Sequence, residues 1–78
     1  MGRIKRIGGD LMRNLYFVDG DNWYNYGEHE YINCLSSICA ICSKKGIPIP
    51  FVREEVKDTA VVFDIGLWNK MFVWGELE

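Results

Sequence analysis

The sequence predicts a small α+β fold, an antiparallel sheet of four to five strands with a single helix packed on one face, in the order β-β-α-β-β-β. Three observations carry this. Residues 28–46 hold the apolar spacing and the end signals of a helix. On both sides of them, short apolar and β-branched runs alternate with Gly, Asp and Asn clusters, the pattern of strands and turns. A chain of 78 residues has room for one hydrophobic core, so residues 1–78 read as a single domain.

The helix expectation rests on Tyr31, Leu35, Ile38, Ile41 and Cys42, three or four apart and so on one face. Asn25 followed by Glu28 fits a capping box, and Glu28 and Glu30 place negative charge at the positive pole. Lys44 and Lys45 complement the other pole, and Gly46 supplies a left-handed stop. Before the helix, residues 1–7 read as a strand or arm and Gly8-Gly9-Asp10 as a turn. Residues 11–18 then form a strand, 19–22 a second turn, and 23–27 a lead into the helix. After it, the prolines at 48 and 50 force residues 47–50 to be extended at an edge, continued by Phe51-Val52-Arg53. Residues 54–58 are polar and turn-like. Residues 59–65 have the composition of a buried strand, and 66–69 make a turn. Residues 70–77 read as a returning strand, because Phe72, Val73 and Trp74 in succession suit a pleated surface, although Leu67, Met71 and Trp74 are also spaced for a short helix.

Net charge is −2, too small to indicate a nucleic-acid binder, but the charge is segregated. Residues 1–14 are basic, 15–43 carry only the acids Asp19, Asp21, Glu28 and Glu30, 44–57 are mildly basic, and the remainder is acidic. No apolar run reaches the ~20 residues that span a bilayer, and no signal-peptide pattern follows Met1, so the expectation is a soluble, cytoplasmic protein without membrane contact. Cys34, Cys39, Cys42 and His29 match a zinc set in number only. They sit on one predicted helix with no second knuckle, and a redox Cys-x-x-Cys belongs at a helix start. They read as small buried thiols.

Leu15 to Trp23, LYFVDGDNW, is an apolar strand ending in Asp-Gly-Asp-Asn, where a rigid strand end offers a carboxylate to Mg²⁺ or Mn²⁺. This stretch resembles the opening motif of the NYN and PIN-like ribonucleases, and Lys57 to Asp64, KDTAVVFD, is similar to a later metal-binding strand of that family. The resemblance implies a metal site at Asp19, Asn22 and Asp64 and a metal-dependent ribonuclease activity. Read without it, Asp-Gly-Asp-Asn is an ordinary tight turn.

Trp23, Tyr24, Tyr26, Trp68, Phe72 and Trp74 exceed what one helix on a small sheet buries, and Trp and Tyr dominate binding hot spots. The leading expectation is therefore a non-enzymatic protein-binding module, an inhibitor or adaptor of the kind phages encode against host enzymes or defence complexes. It has no cofactor and no catalytic residues. Its contact surface comprises Asp19, Asp21, Trp23, Tyr24, Tyr26, Glu28 and Glu30. The partner expected is a larger protein, such as a nucleic-acid-binding enzyme, whose basic surface the acids oppose; a homodimer is the second possibility.

Overall fold

A computed structural model of the chain describes residues 11–77. Strands β1 (Met12–Asp19) and β2 (Asn22–Glu30) precede helix α1 (Tyr31–Lys45), and β3 (Arg53–Val56), β4 (Ala60–Leu67) and β5 (Lys70–Gly75) follow it. The five strands form one antiparallel sheet in the order β2-β1-β5-β4-β3. The expected class and element order are those observed. The strand expected at residues 1–7 and the turn after it lie outside the described residues.

Alternation along β1 sends Leu15 and Phe17 to one face and Tyr16 and Val18 to the other. The first pair joins Val61, Phe63, Ile65, Phe72 and Trp74 in the main core, closed from above by Cys34, Ile38 and Cys42 of α1. The second face holds a smaller cluster of Val18, Ala60, Val62 and Val73, flanked by Tyr16 and Met71. The helix contacts the sheet through residues four apart, with small thiols at two of the three innermost positions. Leu35 and Tyr31, expected inward, are part-exposed, so the buried face is turned by about one residue toward Cys34.

The helix begins later than expected. Residues 28–30 belong to β2, paired with Asn14, Arg13 and Met12. Glu30 is the N-cap, in extended conformation and without a side-chain cap, and no acid occupies the first turn. Asn25 forms no capping box; its Oδ1 accepts from Gly27 N–H at 2.7 Å. The buried Trp74 indole donates to the His29 carbonyl at 2.7 Å, which together with the strand ladder holds this segment extended. Local helix signals lose to that pairing. At the other end the expectation holds: Gly46 has φ 71°, its N–H meets the Ser43 carbonyl, and Ile47 N–H reaches the Cys42 carbonyl at 2.9 Å, a Schellman stop.

A second correction concerns residues 54–58, read as a turn. Arg53–Val56 pairs with Asp64–Val61 as an edge strand, and only the residues after it turn. The C-terminal segment is a strand. At one end of the sheet the two hairpin turns are clasped: Gly20 N–H donates to the Asn69 carbonyl at 2.9 Å, and Asp19 lies 3.5 Å from Lys70. At the other end, Glu76 N–H donates to the Thr59 carbonyl and the Thr59 hydroxyl donates to the Glu76 carbonyl. No helix among the described residues is long and apolar enough to cross a membrane.

Gly75 is the most constrained position. Its φ is 111°, and a Cβ there would lie 2.3 Å from the Thr59 carbonyl oxygen. Gly75→Ala should therefore cost about 3 kcal/mol, from backbone strain plus overlap. Gly46→Ala, where a Cβ meets nothing within 4 Å, should cost only about 1 kcal/mol from its left-handed φ. Denaturant melts of the two variants check the difference; equal losses would mean that the Thr59 contact is not what fixes Gly75.

Candidate functional site

The seven residues nominated for partner contact fall between Asp19 and Glu30, and the β1–β2 hairpin gathers them at one border of the sheet. Strand alternation then divides the aromatics. Trp23 lies opposite Val18 and meets Tyr16 edge-on at 5.5 Å, on the face away from the helix. Tyr24 stacks on Phe17 at 6.2 Å, on the helix face. Trp23, Tyr24 and Tyr26 remain 45%, 46% and 38% exposed. They straddle the border and do not form one flat patch.

Of the acids, Asp21 occupies the turn, while Glu28 and Glu30 stand across from Asn14 and Met12. Asp19 differs from them, because Lys70 of β5 answers part of its charge. Two side chains that sequence reasoning left off the contact surface also bear on the region. Lys45 brings its ammonium 5.8 Å from the Tyr24 ring, a cation–π contact that depends on where the helix lies and so leaves no local signal. Trp68, in the β4–β5 turn, is 88% exposed; its place between Gly66 and Asn69, in the segment read as a turn, was a signal of that exposure.

The residues nominated for a metal are not brought together. Asn22 is the cross-strand partner of Asp19. Asp64 is two strands away, about 10 Å across the sheet. Asp19 alternates with Val18 and falls on the helix side, whereas Asp64 alternates with Phe63 and Ile65 and falls on the other. Asp64 accepts from Gly66 N–H and from Arg53, both at 2.9 Å, and these bonds hold its carboxyl below the usual carboxylate range. Among the described residues no three His, Cys, Asp or Glu side chains form a group that could hold a metal.

The thiols divide likewise. Cys34 and Cys42 are buried and Cys39 is exposed, so the buried-thiol reading holds for two of the three. Burial, with the nearby Glu54 carboxylate, pushes the Cys34 thiol up to about 11, and burial raises Cys42 as well. Tyr31 packs against the rings of Phe63 and Trp74, and its hydroxyl donates to Glu54 of β3. That hydrogen bond is the first cause of its raised pKa.

Two outcomes are expected. A thiol reagent at mild pH should modify Cys39 alone in the native protein and all three cysteines after denaturation; native labelling of Cys34 or Cys42 would contradict the packing. Asp64→Asn should melt below the parent at neutral pH. Because the folded carboxyl is depressed, its stabilisation is whole above the unfolded value of about 3.9 and is lost as pH falls through the folded one, so the two melting curves should converge in acid. A gap that persists unchanged in acid would show that the carboxylate is not its source.

Compared with family models, with curated proteins and with solved structures, the chain matches none of them. The functional reading therefore draws on the geometry of this chain itself.

Proposed function

We propose that this protein is a small non-enzymatic protein-binding module, an inhibitor or adaptor that engages a larger protein through the aromatic and acidic β2 border. One observation carries the reading: a nine-residue strand lies at the border of the sheet with Trp23, Tyr24 and Tyr26 part-exposed along it. Large aromatic side chains held on a rigid strand bind at low conformational-entropy cost. Asp21, Glu28 and Glu30 flank them and outnumber the two neighbouring cations, Lys45 over Tyr24 and Arg13 across from His29, so a basic partner surface is the complement, as on an enzyme that handles nucleic acid.

Trp23 and Tyr26 are the informative pair to truncate, since Tyr24 also supports the core through Phe17. Trp23→Ala with Tyr26→Ala should leave the circular dichroism spectrum intact and cost about 1 kcal/mol of stability or less. Affinity capture from the native host with the tagged protein should yield a stoichiometric partner. The double variant should lose it, with a hot-spot cost of about 2 kcal/mol per residue. Unfolding of the variant would return these side chains to the core, and undiminished capture would remove β2 from the interface.

A further inference from the structure

The two borders of the sheet differ in how they are guarded. β3 is four residues long, with Arg53, Glu54 and Glu55 in succession, and two prolines precede it. Charge, shortness and nearby proline are the devices that stop another strand from adding to an edge. β2 is nine residues long, and its first five, Asn22–Tyr26, contain neither charge nor proline. Beyond them the edge is closed. The β1–β2 register slips between Asn14 and Tyr16, the Gly27 N–H is taken by the Asn25 side chain at 2.7 Å, and the Gly27 carbonyl accepts from His29 Nδ1 at 3.0 Å. Among the described residues, what stays open is about 17 Å of strand, the length of an ordinary β pairing.

We propose that Asn22–Tyr26 takes up an extended segment of the partner as a sixth strand, and that this segment has an uncharged centre flanked by Lys or Arg. The proposal presupposes the protein-binding reading of this border and specifies its mode. Main-chain hydrogen bonds along the open half supply the attachment, and side chains emerging on both faces supply the selectivity. Trp23 and Tyr24 already point to opposite faces there, so an added strand meets one aromatic on each side. Charge selects the occupant. Asp21 lies at one end of the open half, and Glu28 and Glu30 lie beyond the other. A second copy paired antiparallel about Tyr24 would set Asp21 opposite the other chain's Gly27, one residue from its Glu28, at both ends, and the nearness of like charges there is unfavourable. A basic-flanked segment meets opposite charge at both ends.

The test uses the full chain and two synthetic seven-residue peptides of alternating Thr and Val, one with Lys at both ends and one with Glu. Backbone amide exchange is followed by NMR with and without each peptide. The Lys-flanked peptide should slow every second amide within Asn22–Tyr26 by about tenfold or more, since strand addition protects alternate N–H groups. The effect should weaken as salt is raised, and the Glu-flanked peptide should have none. Glu28→Gln with Glu30→Gln should weaken the Lys-flanked peptide while leaving exchange elsewhere unchanged. Failure of the Lys-flanked peptide to protect these amides would overturn strand addition, whereas the capture experiment with Trp23→Ala and Tyr26→Ala decides the binding reading separately. Equal protection by both peptides would overturn the charge selection. Protection that rises with protein concentration alone would make a second copy the occupant and overturn the choice of a basic partner.

Discussion

The indole of Trp74 is the contact on which the arrangement turns. Its ring is buried, so its N–H needs a protein acceptor, and the one it finds is the His29 carbonyl. Arg13 lies over the same ring at 4.9 Å and Tyr31 packs beside it at 5.7 Å. These contacts hold the last residues of β2 against β5 across the intervening β1. Residues 28–30 then stay extended despite the helix signals around them. A helix starting at Glu28 would shorten the edge strand by a third and remove the bond to Trp74. The length of the exposed border is therefore a consequence of how one buried polar group is satisfied.

The chain enters α1 from the end of β2, and the helix lies with its first residue, Tyr31, over Phe63 and Trp74 of β4 and β5 and its last, Lys45, over Phe17 and Tyr24 of β1 and β2. The seven residues 46–52 then carry the chain to β3 at the other border. Cys34, Ile38 and Cys42 let it settle closely on Phe17, Phe63 and Phe72, and the Gly46 stop turns the chain toward β3. Tyr31, the first helical residue, reaches Glu54 of β3, so the far border is also tied to the start of the helix.

What could be read from the sequence follows what each segment buries. β1, β4 and β5 are interior strands packed on both faces, and their apolar runs announce them. The body of the helix and its glycine stop were legible for the same local reasons. The two misread segments, Asn22–Glu30 and Arg53–Val56, are the edges of the described sheet. An edge strand that is exposed on both faces carries no period-two burial pattern, and its extended state is imposed by the neighbour it pairs with. Hence NWYNYGEHE resembled a turn and a helix approach, and EEV of β3 a turn. The aromatic and acidic residues were visible as a cluster, but their spread over both faces of one border was not. The carboxylates at 19 and 64 looked like companions because each ends an apolar run; the pleat sends them to opposite sides.

The strand order has one more implication. The described residues before the α1–β3 connection supply β2 and β1, and those after it supply β3, β4 and β5, so the halves meet along a single seam where β1 lies against β5. That seam runs from Leu15 against Trp74 to Asp19 against Lys70, with Phe17 on Phe72 at its middle, and the helix of the first half rests on residues of the second. Neither half encloses a core by itself. A chain cleaved at the exposed Pro48 or Pro50 would leave two complementary pieces, each presenting a bare strand to the other. The molecule is thus laid out as a split pair whose reassembly could report on whatever brings the two fragments together.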